Sequence, residues 1–283
     1  MTTTPPVRWL IDGHLARERH YRGFPNLIDA ARSLGYTVHE SLYTPRMPDL
    51  NVPFESDQCV VAYGSHEFIK QIRGQYKDRF WQPGDYLRTA NLSYSATTAR
   101  FGDLFLNDDF VILPFGEVVR RRPAAWGGAI FLKPDAVSKA FTGFIVTEEK
   151  FDEEVNALRQ IQRIPDEMMC VVAKPKPIHG EFRYVIADRK RVTGSEYRWD
   201  NILDVRTDTL PICDAVADLV CQREWQPDRV YTVDVASTDL DGQRVGRIVE
   251  FNSFSCSRLY ACDTLKIIDQ VSQAAWSEFC GDD

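Results

Sequence analysis

Several protein classes are excluded by what this sequence lacks. No run approaches the roughly 18 apolar residues that a membrane-spanning helix needs, and the opening MTTTPPVR has no apolar stretch of the kind found in secretory signals. The seven cysteines include no C-x-x-C pair, which argues against zinc ribbons and thioredoxin-like chemistry. Internal repeats and low-complexity tracts are absent too. We therefore expect a reduced, cytoplasmic protein with mostly buried thiols and no membrane partner.

Positive charge is also in short supply. The 283 residues carry 41 acidic and 34 basic side chains, a net charge of −7. Proteins that bind a phosphate backbone usually have the opposite balance, so a nucleic-acid partner is disfavoured. Hydrophobic residues make up 44% of the chain, enough to build a core and to exclude disorder for its bulk.

The first third of the chain alternates between strand and helix patterns, which is typical of a small α/β unit. Gly35 follows the first predicted helix and is expected to end it. Three arginines before Pro123 and a Gly-Gly pair suggest a boundary, so we predict domains at 1–118 and 119–283. The predicted elements of this third are strands at 8–12, 36–43 and 58–65 and helices at 24–35 and 66–76.

The second part is richer in strands and in hairpin signals. One hairpin is expected to turn near 188–190 and another at Asp241-Gly242. The predicted elements are strands at 129–135 and 168–175, hairpins at 181–198 and 229–253, and helices at 147–162, 210–224 and 263–279.

The second hairpin carries the strongest group of polar residues. Side chains alternate between the two faces of a strand, so Asp234, Glu250 and Asn252 fall on the face opposite Val233 and Phe251. A tight turn at Asp241-Gly242 brings Asp234 close to opposite Glu250. Two carboxylates this close repel each other unless a hard cation or a cationic side chain lies between them. The pattern fits either Mg²⁺ held by carboxylates, waters and phosphates or a solvated sheet face.

A lysine and a short loop follow the strand AIFLKPD. Lys133 near the strand end is a compact charge suited to a phosphate, although a lysine with its head in solvent is the common alternative. The segment SKAFTGF, with Lys139 and Gly143, is expected to be a loop that closes over phosphates. No G-x-x-x-x-G-K loop is present.

The segment CVVAKPKPIHGEFRYVI combines an extended stretch with an acid–base pair. Each residue before a proline avoids the helical region, so the K-P-K-P stretch is extended and its backbone could contact an adenine edge. Glu181 and Arg183 share one face of the next strand. Arg183 could clamp a phosphate or carboxylate in bidentate fashion, or form a cross-strand ion pair.

Taken in order, these features resemble the ATP-grasp enzymes, which include glutathione synthetase, D-alanine–D-alanine ligase and the ribosomal-protein glutamate ligases. The order is a lysine strand, a helix, a hinge strand, E-x-R, then D…E-x-N on a closing hairpin. More narrowly, FLKPD…SKAFTG, EFRYVI, TGSEY and IVEFNSFSCSRLY resemble the phage and bacterial clade named for an arginine-to-lysine exchange. The resemblance covers about residues 80–283.

The resemblance implies an α/β (α+β) fold: a small N-terminal α/β domain of the pre-ATP-grasp type, then a two-lobed ATP-grasp domain with ATP between two sheets. It implies ATP and Mg²⁺ as cofactors and a carboxylate–amine ligase that works through an acyl phosphate. By residue, it implies catalytic roles for Lys133, Lys139 and Arg183; nucleotide contacts from Lys133, Val172, Ala173, Lys174 and Glu181; Mg²⁺ ligation by Asp234, Glu250 and Asn252; and substrate contacts from Ser257, Arg258 and Tyr260.

Two other functions stay open at this point. One is an ATP-binding regulatory or structural protein of phage type without turnover, and the other is a nucleic-acid modifier. The acidic balance and the absence of K-x-D-G argue against the second. The expected partners are therefore small-molecule or peptide carboxylates and amines, whose identity the sequence does not specify.

Overall fold

Three β-sheets organise the part of the chain that the structure describes. This computed structural model describes residues 5–18, 21, 23–44, 50, 52–76, 84–137, 140–200 and 202–281. None of the helices in those ranges combines the length and apolar character that a bilayer span requires. Cysteines are all free thiols there, and five of the seven are buried, as the sequence predicts.

The N-terminal part is a three-stranded parallel sheet with helices against it, which confirms the predicted α/β unit. The strand order is β2-β1-β3. Asn26 caps the second helix by accepting a hydrogen bond from the Asp29 amide, and Gly35 at φ +84° ends it, as predicted. The elements are β1 Arg8–Asp12, α1 Gly13–Glu18, α2 Leu27–Ser33, β2 Thr37–Ser41, β3 Val60–Tyr63 and α3 His66–Tyr76.

A four-stranded antiparallel sheet follows, in the order β4-β7-β5-β6. Helix α4 leads into it, and α5 and α6 cover one face through a core that includes Phe115, Val155 and Leu158. The elements are α4 Tyr94–Phe101, β4 Phe110–Pro114, α5 Phe115–Arg121, β5 Ala129–Pro134, β6 Phe144–Thr147, α6 Phe151–Gln160 and β7 Met169–Ala173.

The third sheet has five antiparallel strands in the order β10-β9-β8-β11-β12. Even-numbered residues of β8, such as Phe182 and Tyr184, pack against α7. Val185 and Ala187, on the odd-numbered face, join the core shared with α8 and the N-terminal sheet. The elements are β8 Gly180–Ala187, β9 Lys190–Trp199, β10 Ile202–Arg206, α7 Pro211–Gln222, β11 Val230–Leu240, β12 Gln243–Ser253 and α8 Thr264–Cys280.

Both predicted hairpins are present with the predicted turns. The β8–β9 turn has Asp188 and Arg189 at positive φ, and the β11–β12 turn has Asp241 and Gly242 at φ +50° and +78°. Such turns suit two-residue hairpins because their twist matches that of the strands. The elements that the sequence did not predict are α1, α4, β4, α5, β6 and β10.

The predicted division at residues 118 and 119 falls inside α5. Strand β4, which precedes it, pairs with β7 from Phe110 opposite Ala173 to Pro114 opposite Met169. The residues before 119 therefore contribute a strand to the four-stranded sheet. A two-domain description remains a proposal, and we move its boundary to before β4.

Candidate active site

Three polar side chains converge on one face of the five-stranded sheet. Asp234 on β11 lies directly opposite Glu250 on β12, with a bulge immediately after the pair. The Asn252 Nδ2 donates to Asp234 Oδ2 at 3.3 Å and to Glu250 Oε1 at 3.0 Å. The alternate residues Val233 and Phe251 are buried in the core against α7. The structure thus brings together the three residues that the hairpin register predicts, while their role as metal ligands stays a prediction.

A buried ion pair neutralises the first of these carboxylates. Arg183 on β8 is the cross-strand neighbour of Asp234. Its Nε donates to Asp234 Oδ1 at 2.7 Å and its Nη2 to Oδ2 at 2.6 Å. The two side chains are 5% and 2% exposed, so this bidentate pair is removed from water. The cross-strand ion pair left open by the sequence is the arrangement that forms.

A second ion pair joins two sheets across a cleft. Lys133 projects from β5 of the four-stranded sheet, and its Nζ donates to Glu250 Oε2 of the five-stranded sheet at 2.8 Å. The same Nζ lies 5.2 Å from the centroid of the Tyr94 ring. Each of the two carboxylates therefore has a cationic side chain beside it, which offsets the repulsion between them.

The cleft beside these pairs has a volume of about 610 Å³, within the range of small-molecule and cofactor sites. One part of its wall is polar and includes Lys133, Arg183, Asp234 and Glu250. The apolar lining residues come from both sheets, the segment before β4 and the β7–β8 segment: Leu106, Phe131, Ile145, Ile178 and Val249. A cleft lined by both apolar and charged residues suits a ligand with an apolar part and an anionic part.

The remaining polar wall is built around Glu181. Its Oε2 accepts a hydrogen bond from the Tyr197 hydroxyl at 2.5 Å, and Arg198 Nη1 lies 3.3 Å from its Oε1. Burial raises the pKa of Glu181, and the Tyr197 hydrogen bond opposes that rise. Tyr197 stacks on Tyr260 with centroids 4.6 Å apart, and the Arg183 guanidinium lies 5.1 Å from the Tyr260 centroid.

Asn252 contacts the wall residues Asp234 and Glu250 without lining the cleft itself, and four other predicted residues lie away from the wall. Val172 and Ala173 are buried in β7, whose register pairs them with β4 on one side and β5 on the other. Sheet pairing therefore already uses this stretch of backbone. Lys174 is exposed to solvent. Ser257 is 1% exposed, and its hydroxyl donates to the Ser253 carbonyl.

Of the other predicted residues, Arg258 and Tyr260 do line the cleft. Lys139 lies outside the described residues.

Sequence reasoning missed three residues of the site: Lys176, Tyr94 and Tyr197. Lys176 lines the cleft, and its Nζ donates to the Leu106 carbonyl and the Asp108 carboxylate. The K-P-K-P pattern contains two lysines in the same local context, so only the fold distinguishes Lys176 from Lys174. Nothing in the local pattern marks Tyr94 or Tyr197, since each meets its partners through tertiary packing.

Comparison with known families gives one match. The family model for the ATP-grasp domain, arginine-to-lysine clade family 2, matches residues 105–270, which include both sheets that border the cleft. No curated protein is similar enough to this chain to count as a match.

Solved structures share the fold over nearly the whole chain. A D-cycloserine synthetase aligns with a TM-score of 0.61 at 17% identity, over 96% of this chain and 99% of the other. The ATP-grasp ligase PsnB, solved with its minimal precursor, gives 0.56 at 13% identity over 96% and 100%. The D-alanine–D-alanine ligase of Bacillus anthracis, solved with ATP, gives 0.55 at 13% identity over 98% and 99%. At these identities the similarity establishes the fold.

Proposed function

Because the chain belongs to the ATP-grasp domain family, within family 2 of the arginine-to-lysine clade, we propose that it is an ATP-dependent carboxylate–amine ligase. A carboxylate oxygen of the substrate attacks the γ-phosphorus of ATP, and ADP leaves. The amine nitrogen of a second substrate then attacks the acyl carbon, loses a proton and displaces phosphate, which leaves an amide. The structural neighbours named above include ligases, which supports this reaction class.

The ion pair between Lys133 and Glu250 carries the proposal. It joins the two sheets at 2.8 Å beside a cleft of about 610 Å³. A nucleotide bound there would have its phosphates next to a lysine that is 13% exposed and held in position. Phosphoryl transfer is catalysed mainly by positioning and by charge stabilisation. A preformed cation at the junction of the two sheets supplies both.

We assign the nucleotide contacts as follows. Lys133 contacts the phosphates. Arg183 donates from Nε and Nη2 to Asp234 and from Nη1 to the Arg258 carbonyl at 2.9 Å, and it contacts the γ-phosphate or the acyl phosphate through its two remaining N–H groups. The adenine occupies the apolar region beside Phe131 and Ile178. In the hinge, the K-P-K-P stretch at residues 174–177, we assign the nucleotide contact to Lys176 instead of Lys174, because Lys176 lines the cleft whereas Lys174 faces solvent. Glu181 remains a nucleotide-contact candidate.

The types of ligand atom that these residues offer fit a Mg²⁺ site. Within the described ranges no three His, Cys, Asp or Glu side chains form a metal-binding group. Glu250 and Asp234 nevertheless offer carboxylate oxygens, and a flip of the Asn252 amide would offer its oxygen to the same cation. Magnesium commonly takes one or two carboxylates and completes its shell with waters and phosphates. Bound there, it would neutralise charge on the transferring phosphoryl group.

The substrate side is proposed to include Arg258 and Tyr260. Four cations lining the cleft have carboxylate partners: Lys133 with Glu250, Lys176 with Asp108, Arg183 with Asp234 and Arg198 with Glu181. The fifth, Arg258, has no such partner among the described residues and is exposed. An uncompensated guanidinium favours an anionic ligand, so it suits a carboxylate of a small-molecule or peptide substrate.

Two measurements test the proposal together. Saturating ATP with Mg²⁺ should raise the melting temperature, because a ligand that binds only the folded state stabilises it. A panel of amino acids and peptides should then contain pairs that cause ADP release, with products identified by mass spectrometry. The absence of any thermal shift or binding heat with ATP–Mg²⁺ would overturn the proposal. Binding without ADP release from any pair would instead favour an ATP-binding protein without turnover.

A further inference from the structure

Tyr94, at the first turn of α4, has an unusually fixed ring. It is 3% exposed, and its hydroxyl donates to the Asn107 carbonyl at 2.8 Å. The rings of Phe105 and Phe110 meet it edge-on with centroids 5.0 and 5.1 Å away. A ring held by a hydrogen bond at its tip and by two aromatic neighbours has little freedom to move. It therefore offers a rigid surface to whatever lies on it.

Lys133 lies on that surface. Its Nζ is 5.2 Å from the Tyr94 ring centroid, within the range of a cation–π contact. A lysine side chain is a flexible four-carbon stem, and ordering it costs conformational entropy. The ring orders the stem before any ligand arrives. A phosphate would compete with Glu250 for the ammonium, but it would not compete with the ring.

The strand end that carries Lys133 is fastened to the same helix turn. The Ser95 amide and hydroxyl donate to Asp135 Oδ1 and Oδ2 at 2.7 and 3.0 Å. The Tyr94 amide donates to the Asp135 carbonyl at 2.9 Å. Only Pro134 separates Asp135 from Lys133, and its ring restricts the backbone between them. A shift of Lys133 away from the cleft would strain or break these three hydrogen bonds.

We propose that the first turn of α4 is a positioning element for the phosphate-binding lysine, with Tyr94 and Asp135 as its positioning residues. Tyr94 holds the ammonium, and Asp135 holds the strand end. Tyr94 and Ser95 lie before residue 105, where the family match begins. The proposal rests on the proposed function, which assigns Lys133 to the phosphates of ATP.

The test compares ligands with and without phosphates. Binding of ATP with Mg²⁺ is measured by calorimetry and binding of adenosine by ligand-observed NMR, on the parent, Asp135→Ala, Tyr94→Leu and Tyr94→Phe. We expect ATP affinity to fall about tenfold in Asp135→Ala and Tyr94→Leu, with adenosine affinity unchanged, and to stay within about twofold in Tyr94→Phe, which keeps the ring.

Ser93→Ala is the matched control. Ser93 caps the same helix by accepting a hydrogen bond from the Ala96 amide at 3.2 Å. Its hydroxyl also lies 3.2 Å from the Ser95 hydroxyl but makes no hydrogen bond to Asp135, so Ser93→Ala removes none of the bonds between Ser95 and Asp135. It should lower the melting temperature without changing the ratio of ATP to adenosine affinity. Ser95 is exposed, so water can bond to its amide and hydroxyl when Asp135→Ala removes their partner, and we expect this variant to fold. Asp135→Ala therefore decides the question even if Tyr94→Leu fails to fold.

The outcomes separate this proposal from the proposed function. If the parent binds no ATP, the proposed function fails and this proposal fails with it. If the parent binds ATP and Asp135→Ala binds it equally well, only the positioning role is overturned. Equal losses of ATP and adenosine affinity would also overturn it, because they would indicate a general structural role.

Discussion

Replacing Glu250 by Gln separates a metal role from a structural role, and the structure changes what the experiment should look for. Two adjacent carboxylates alone would predict relief of repulsion and equal or greater stability without metal. In the folded protein, however, Glu250 accepts from Lys133 at 2.8 Å and from Asn252 at 3.0 Å. The substitution therefore leaves Lys133 without its carboxylate, and we expect the free energy of unfolding to fall.

The size of that loss follows from burial. The side chains of Lys133 and Glu250 are 13% and 32% exposed, between a surface pair and a fully buried one. Surface pairs contribute about 0.2–1 kcal/mol, whereas removing one partner of a buried pair costs about 3–5 kcal/mol. From these limits we expect about 1–2 kcal/mol for Glu250→Gln. Asp234→Asn should cost closer to the ~3–5 kcal/mol of a buried pair, because Arg183 would remain buried at 5% exposure without its carboxylate.

Destabilisation alone fits both roles, so the deciding assay is the effect of Mg²⁺ on ATP affinity. In the parent, Mg²⁺ should tighten ATP binding. In Glu250→Gln, ATP without metal should bind as well as in the parent or better, because a negative charge near the phosphates is gone. The tightening by Mg²⁺ should be largely lost. A variant that keeps the parent's full response to Mg²⁺ would refute the assignment of Glu250 as a ligand.

Three further predictions follow from individual sites. Lys176→Ala should weaken ATP binding about tenfold while Lys174→Ala leaves it unchanged, because only Lys176 lines the cleft; equal effects in calorimetry would contradict the hinge assignment. Gly143→Ala should weaken ATP binding several-fold, since a Cβ there would lie 2.9 Å from Phe131 Cζ and force the loop or the ring to move; an unchanged affinity would exclude tight packing of this loop. Burial raises the pKa of Asp228 to about 7, above about 3.9 in the unfolded chain, so its contribution to stability is fully present below about pH 4 and is lost as the pH rises through 7. Relative to Asp228→Asn, denaturant melts of the parent should show stability falling by up to about 1.4 kcal/mol per pH unit in that window, and parallel profiles would contradict the raised pKa.

The hairpin residues show how far local sequence can reach. Alternation along β11 and β12 assigns Asp234, Glu250 and Asn252 to one face, and the Asp241-Gly242 turn sets their register. The three residues and the turn that pairs them all lie within about twenty residues of each other along the chain. The predicted convergence therefore needed no knowledge of how the sheets pack.

The hinge shows where local sequence stops. Val172 and Ala173 were expected to offer backbone groups to a nucleotide, but β7 lies between β4 and β5 and has sheet partners on both sides. That position depends on strand order, and β4 was not predicted. The two lysines of K-P-K-P differ only in which one the chain turns toward the cleft. Ser257 likewise became part of a buried hydroxyl network instead of the cleft wall.

The sequence by itself determined the alternation of faces, the hairpin turns and the set of charged residues, because each depends on backbone geometry over a few neighbouring residues. The tertiary structure decided which charges meet. Lys133 and Glu250 are 117 positions apart in the chain, and Tyr94 and Lys133 lie on a helix and a strand with no predicted link. Their contacts exist because burying the apolar faces of two sheets against their helices leaves the polar faces opposite each other across a cleft.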